Sequence, residues 1–207
     1  MTQSNQTILY YVHDPMCSWC WGFVPTWERI LHKLPKHIEV RYVMGGLAPD
    51  STAPMPKEMQ KSLQGTWKDI QKRIPGTEFN FDFWKKCHPR RSTYPSCRAV
   101  LAAKSQNPDK EKPMIRAIQE AYYLNARNPS DDATLVEIAG ELGLNEVYFE
   151  KDLNSAHTNK ALKAEMRLSA EIGAQGFPSL ILHTSKGYKS IPLDYNQAKA
   201  TLKALGV

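Results

Sequence analysis

Two cysteines separated by two residues constrain this chain more than any other feature, because of what surrounds them. An apolar, β-branched run over residues 7–12 ends shortly before Cys17-Ser18-Trp19-Cys20. Apolar residues then recur at steps of three or four, at Phe23, Trp27, Ile30, Leu31 and Leu34. This spacing predicts a strand, a short turn over residues 13–16 and an amphipathic helix that begins at the cysteines.

At the start of a helix this cysteine spacing has a chemical meaning. Residues three apart lie on one helix face, so their sulfurs can join in a small ring with little backbone movement. Cys17 would sit where unpaired N–H groups and the helix dipole favour an anion, and the thiolate is the form that attacks disulfides. Cys20 would be more covered and would resolve a mixed disulfide by attacking Cys17. Two other interpretations stay open: buried cysteines acting as small apolar residues, and half of a zinc site.

The composition indicates an ordinary globular protein with a substantial core. Of 207 residues, 42% are hydrophobic and 23% are charged, which argues against disorder. The net charge is +6, and the basic residues alternate with acidic ones on most predicted helices. We interpret this excess as a source of solubility and of mild attraction to anionic partners, not as a nucleic-acid-binding surface.

The sequence shows no signal for export or membrane insertion. Residues 1–6 lack a positively charged region, and the apolar run after them is too short for a secretory signal. No stretch approaches the length of a membrane span. We therefore expect a cytoplasmic protein. Because thiols are kept reduced in that compartment, the four cysteines favour a reactive pair over a structural disulfide framework.

A second strand and a long helical block follow the first helix. Residues 38–44 alternate as a strand does and end at Gly45-Gly46, which predicts a β-α-β unit with parallel strands. The next helix is marked by Met59, Leu63, Trp67, Ile70 and Ile74. Further helical patterns run through residues 83–84, 95–105 and 113–128, and two more are opened by Asp131-Asp132 and by Asn145.

The remainder of the chain predicts the order α-β-β-α. A helix over residues 159–172 ends at Gly173, and a hairpin with a turn at Lys186-Gly187 joins two short strands. Asp194 is placed to cap a final helix over residues 195–205.

This order, together with its motifs, resembles the thioredoxin fold, and the helical block resembles that of the DsbA-like branch. The chain is similar to the cytoplasmic FrnE-like members of that family through residues 14–23, Gly45-Gly46-Leu47 and Gly176-Phe177-Pro178-Ser179. The resemblance implies an α/β thioredoxin fold with a large all-helical insertion between its βαβ and αββα halves.

The same resemblance implies a division of the chain into two domains. Residues 1–48 and 158–207 would form the thioredoxin-like domain. Residues 49–157 would form the inserted helical domain.

The function that the resemblance implies is that of a thiol-disulfide oxidoreductase or isomerase working through a mixed disulfide. Cys17 would be the nucleophile and Cys20 the resolving thiol. The Phe177-Pro178 bond would be cis and would face the two cysteines, leaving the backbone of Phe177 free to pair with an extended substrate.

Four residues would form the substrate-binding surface around the sulfurs. Trp19, Phe177, Pro178 and Met16 are the apolar residues that we expect there, with Trp19 partly exposed. No metal and no organic cofactor is implied. Disulfide-bearing proteins or small thiols would be the substrates, with glutathione as a candidate reductant. No nucleic-acid or membrane partner is expected.

One departure from the family pattern leaves the direction of electron flow open. Periplasmic DsbA carries a histidine where this chain has Trp19, and an indole cannot supply the positive charge that stabilises a thiolate. The related kappa-class glutathione transferases and chromene-carboxylate isomerases are expected to have serine where this chain has Cys17. A glutathione-dependent transferase or isomerase therefore stays as an alternative, as does a zinc-binding or partner-binding module.

The other cysteines and one histidine have less specific settings. Cys87 and Cys97 could form a second redox pair or join the first pair at zinc, although nine intervening residues fit zinc spacing poorly. Cys87 could instead be a regulatory thiol activated by its basic neighbours, whereas Cys97 fits a buried helix position. His13 could assist proton transfer, although an ordinary loop histidine is the simpler interpretation. The basic residues 85–86 and 90–91 are most simply a solvated face.

Overall fold

A mixed sheet forms the centre of the computed structural model, which describes residues 7–207. In those residues the sheet has four strands, β1 (Thr7–His13), β2 (Ile38–Met44), β3 (Ser179–Thr184) and β4 (Gly187–Ile191), in the order β2-β1-β3-β4. β1 runs parallel to β2 and antiparallel to β3, and β3 pairs antiparallel with β4. The predicted β-α-β unit and terminal hairpin are confirmed. Residues 1–6, on which the argument about a secretory signal rested, lie outside the described residues.

Helices cover both faces of the sheet, and most of them lie between β2 and β3. The described residues contain α1 (Ser18–Leu31), α2 (Lys57–Arg73), α3 (Phe83–Lys86), α4 (Tyr94–Gln106), α5 (Glu111–Tyr123), α6 (Asp132–Glu141), α7 (Glu146–Leu153), α8 (Ala156–Glu171) and α9 (Ala198–Leu205). A short 3-10 turn at Pro108–Lys110 links α4 and α5. This is the predicted thioredoxin fold with an all-helical insertion. None of these helices in residues 7–207 combines the length and the apolarity that crossing a bilayer takes.

Two helices begin at other residues than predicted, and polar side chains explain both differences. α8 begins three residues earlier than expected because the Ser155 hydroxyl accepts a hydrogen bond from the Thr158 amide at 3.1 Å, as an N-cap does. α9 begins three residues later, since Asp194 Oδ1 accepts from the amides of Asn196 and Gln197 and holds a turn before the helix.

Apolar side chains pack on both faces of the sheet. One face packs against α1 and α9, and the opposite face packs beneath α8. A core around α4 joins the helical insertion to Met44 of β2 and Leu162 of α8. An aromatic cluster centred on Trp67 fills the space between α1, α2 and α5. The division into two domains at residues 48 and 158 stays a prediction.

A buried glutamate ties α8 to the end of β2. Glu165 accepts a hydrogen bond from the Met44 amide at 2.6 Å, next to the glycines that follow the strand. Burial raises the pKa of the Glu165 carboxyl from 4.5 to about 7, against the lowering effects of that hydrogen bond and of Lys104. The folded protein therefore binds this proton more tightly than the unfolded chain does.

We predict that Glu165→Gln flattens the pH dependence of stability. Because the folded pKa lies above the unfolded one, stability from this group is greatest below about pH 4.5 and falls as pH rises toward 7, by up to about 3 kcal/mol. Glutamine keeps an acceptor for the Met44 amide but does not titrate. Urea unfolding at pH 4.5 and 7.5 should show the variant gaining on the wild type at the higher pH. Exposed Glu171→Gln on the same helix is the control, and parallel profiles for all three proteins would contradict the assignment.

Candidate active site

The two cysteines lie at the head of α1, where the chain turns directly from strand to helix. Cys17 is the N-cap residue, with extended backbone angles, and its amide donates to the Asp14 carbonyl oxygen at 3.0 Å. The Trp21 amide bonds the Cys17 carbonyl oxygen at 3.0 Å and closes the first helical turn. Cys17 is 6% exposed and Cys20 is fully buried, and both are free thiols. The predicted difference in cover between the two is therefore present.

The loop before β3 meets the leading thiol. Cys17 Sγ donates a hydrogen bond to the Phe177 carbonyl oxygen at 3.4 Å, and the Phe177-Pro178 peptide is cis, as the resemblance implied. Burial is the main cause that raises the pKa of the Cys20 thiol well above its ordinary value, and its hydrogen bond with Cys17 adds to the effect. In the reduced protein, Cys20 therefore holds its proton firmly.

A glycine makes room for the Phe177 ring. A Cβ atom on Gly45 would lie 2.1 Å from Phe177 Cε1, far inside any contact distance. The Gly45 amide also donates to the His13 carbonyl oxygen at 2.7 Å, which continues the β1–β2 ladder by one bond. The glycine pair that ended the predicted strand therefore also positions the loop that faces the cysteines.

Asp14 is a buried residue of the site that the sequence analysis did not single out. Its Oδ1 accepts from the Met16 amide at 2.8 Å, and its Oδ2 accepts from the Leu47 amide and the Thr93 hydroxyl, each at 2.7 Å. Cys97 Sγ also donates to Oδ2 at 3.4 Å. Burial raises the pKa of the Asp14 carboxyl although these hydrogen bonds oppose the rise. The sequence signals for it were its place at the start of the motif over residues 14–23 and its position before Pro15, which is typical of a turn.

The helical insertion also reaches the residue between the cysteines. Trp67, fully buried on α2, donates its indole N–H to the Ser18 hydroxyl oxygen at 3.0 Å. Trp84 packs against it with ring centroids 5.0 Å apart, but the buried Trp84 Nε1 has no hydrogen-bond partner within residues 7–207. Helical spacing predicted Trp67 only as a core residue.

The predicted apolar surface is present in part. Trp19 and Phe177 are half-buried, and the guanidinium of Arg73 lies 5.8 Å from the Trp19 ring centroid. Pro178 is buried. Met16 does not lie on the surface as expected: it is 7% exposed and packs into the aromatic cluster beneath, because the Asp14 hydrogen bond turns the chain inward there.

The other two cysteines are free thiols in different surroundings. Cys97 is fully buried, as predicted. Cys87 donates to the Ala126 carbonyl oxygen at 3.0 Å. Burial together with nearby Asp131 raises the pKa of its thiol against the opposite effect of Lys86, which disfavours the alternative of a thiol activated by basic neighbours. No group of three or more histidine, cysteine or acidic side chains placed to hold a metal ion is found in residues 7–207.

The simpler interpretation, in which His13 is an ordinary loop residue, was wrong. It ends β1, is fully buried, and stacks on Tyr11 with ring centroids 4.7 Å apart. Neither ring nitrogen has a hydrogen-bond partner in the described part of the chain. Burial lowers the pKa of His13 to about 3, so the imidazole is neutral at physiological pH.

A thioredoxin-type sheet with a CxxC at the head of its first helix, a cis-proline opposite and a helical insertion between β2 and β3 defines a DsbA-like protein. The chain matches a family model described as "Thioredoxin" over residues 10–193, and it belongs to that family.

Two solved structures share this fold over most of the chain. A candidate protein disulfide isomerase from Nitrosomonas europaea has a TM-score of 0.83 at 28% identity, covering 97% of this chain and 96% of that one. The cytosolic disulfide reductase DsbM from Pseudomonas aeruginosa has a TM-score of 0.72 at 26% identity, covering 89% of each chain.

The curated relatives carry a different name. ClpXP adapter protein SpxH of Bacillus subtilis is 27% identical over 193 residues, which are 91% of this chain and 63% of the relative. The chain thus spans less than two thirds of the length of this relative.

We predict that Gly45→Ala destabilises the protein by about 1–3 kcal/mol, because the new methyl group overlaps the Phe177 ring. Gly65→Ala is the matched control: it lies inside α2 with no atom within 4 Å of an added Cβ, and it should stabilise by about 0.5–1 kcal/mol. Urea unfolding measures both changes. Equal effects of the two substitutions would show that Phe177 is not held against Gly45.

A second prediction concerns the hydrogen bond from Trp67 to Ser18. A double-mutant cycle of Trp67→Phe with Ser18→Ala should give a coupling energy of about 0.5–1.5 kcal/mol in urea unfolding, since each change alone removes the same bond. The cycle of Trp84→Phe with Ser18→Ala should give a coupling near zero, because the Trp84 indole has no such partner. Equal coupling energies in the two cycles would contradict a stabilising hydrogen bond from Trp67 to Ser18.

Proposed function

We propose that this protein is a thiol-disulfide oxidoreductase in which Cys17 is the nucleophile and Cys20 the resolving thiol. The observation that carries the proposal is the position of Cys17 Sγ, at the open end of α1 and 3.4 Å from the Phe177 carbonyl oxygen, with Cys20 buried one turn behind. Unpaired amides at a helix start favour a thiolate there.

The reaction proceeds through two exchanges. The Cys17 thiolate attacks one sulfur of the substrate disulfide, forms a mixed disulfide and releases the other substrate sulfur as a thiolate, which takes up a proton. Cys20 then loses its proton and attacks Cys17 Sγ, which closes the Cys17–Cys20 disulfide and releases the second substrate thiol. Two electrons and two protons pass from the protein to the substrate.

The substrate would bind to the Phe177 carbonyl oxygen, which accepts the Cys17 thiol in the reduced protein. The Phe177 carbonyl oxygen accepts the Cys17 S–H in the reduced protein, so ionisation of Cys17 frees that oxygen for the N–H of an extended substrate. Trp19 and Phe177 supply apolar contacts beside it, and Arg73 over the Trp19 ring favours substrates with an acidic group nearby.

We favour the reducing direction, in the cytoplasm. Trp19 provides no positive charge next to Cys20, so the thiolate lacks the stabilisation that makes a strong oxidant. One similar structure is that of a cytosolic disulfide reductase. Two molecules of glutathione would return the Cys17–Cys20 disulfide to two thiols, becoming one glutathione disulfide.

The names of the curated relatives favour a second candidate, a partner-binding adapter. SpxH is described as an adapter for ClpXP, and this chain aligns with it over 91% of its own length. An adapter role requires only a docking surface and would survive the loss of both active-site thiols.

We predict that Cys17→Ser lowers insulin reduction by glutathione on the order of a hundredfold or more, since the variant lacks the attacking sulfur. Cys20→Ser should also fail to turn over. Cys87→Ser, which removes a half-buried thiol that bonds to the Ala126 carbonyl oxygen, should match the wild type. Equal turnover by Cys17→Ser and the wild type would exclude the proposal. Full activity of Cys20→Ser with saturable glutathione binding would indicate a glutathione transferase instead.

A further inference from the structure

A cavity of about 500 Å³ lies between α1 and α5, above the ends of β1 and β2. Its walls are mostly aromatic and aliphatic, formed by Tyr11, Val24, Trp27, Leu31, Tyr42 and Ile115. Ligand-binding pockets for small molecules have volumes of roughly 300–1,000 Å³ and commonly form where two packed units meet. Cys17, Cys20, Trp19 and Phe177 do not line this cavity.

The amide side chain of Gln119 also lines the cavity. Gln119 on α5 is 2% exposed and lines the cavity, yet its carboxamide makes no hydrogen bond within residues 7–207. A polar group kept in such a wall is well placed to bond a ligand, with both a donor and an acceptor available.

The charged residues at the rim leave one cation without a carboxylate. Arg116 pairs with Glu120 at 2.6 Å and lies 3.8 Å from Glu28, the acidic residue of the rim. Lys112 has no ion-pair partner in the described residues, and its ammonium lies 5.5 Å from the Tyr42 ring centroid. Lys112 is thus a positive charge without an ion-pair partner at the rim, beside the aromatic wall of the cavity.

We propose that this cavity binds a small organic monocarboxylate with a flat or extended apolar body. The apolar body would lie against the wall formed by Trp27 and Tyr42, whose side chains are joined by a hydrogen bond from the Trp27 indole N–H to the Tyr42 hydroxyl oxygen at 3.0 Å. The carboxylate would reach Lys112 at the rim. Gln119 would donate to, or accept from, a polar atom of the ligand at the inner wall. A neutral ligand would leave Lys112 without a partner, and a dicarboxylate would bring its second charge toward Glu28.

The experiment is calorimetric titration of the purified full chain with 2-naphthoate, 4-phenylbutyrate and decanoate. At least one of the three acids should bind saturably with one molecule per chain, and 2-naphthamide should bind at least about tenfold more weakly than 2-naphthoate, because it lacks the charge. Lys112→Met should weaken acid binding about tenfold. Lys163→Met, an exposed lysine on α8, should leave binding unchanged.

Two results would overturn the proposal. One is the absence of saturable binding for all three acids. The other is acid binding that Lys112→Met weakens no more than Lys163→Met does, which would place the acid elsewhere on the protein. Thermal unfolding of each variant in the absence of acid checks that the substitutions leave the fold intact, and both substituted side chains keep an unbranched stem that fills a similar volume.

Discussion

The contact between the Cys17 thiol and the Phe177 carbonyl oxygen is the interaction on which the rest of the site depends. It joins two segments 160 residues apart, one that ends β1 and one that begins β3. Its geometry requires the empty space at Gly45, since any side chain there would push the Phe177 ring away. The antiparallel pairing of β1 with β3 brings the two segments to the same end of the sheet.

The helical insertion takes part in this arrangement. Thr93 and Cys97 of the insertion donate to the Asp14 carboxylate, and the same carboxylate holds the turn that leads into Cys17. Trp67 reaches Ser18 between the two cysteines. The insertion therefore fixes both sides of the CxxC turn, and a chain without it would leave that turn without three of its hydrogen-bond partners. The buried cluster around Trp67 gives these contacts a rigid base.

The sequence predicted those parts of the fold that depend on local spacing, including the strand, turn and helix around the cysteines and the terminal hairpin. It did not predict Asp14, because the four donors to its carboxylate come from segments up to 83 residues away. Met16 was misplaced because the aromatic residues that cover it come from α2 and α5, far along the chain. His13 was assigned to a loop because a polar residue at the end of an apolar run is typical of a turn. In the structure it stacks on Tyr11 and is fully buried.

The most direct test of the account is to trap the first exchange. The Cys20→Ser protein, treated with glutathione disulfide and mapped by peptide mass spectrometry, should carry one glutathione on Cys17, because no neighbouring thiol remains to release it. Cys97 is buried, and Cys87 has a raised pKa, so neither should react at a comparable rate. A glutathione adduct confined to Cys87, with Cys17 unmodified, would contradict the assignment of Cys17 as the nucleophile.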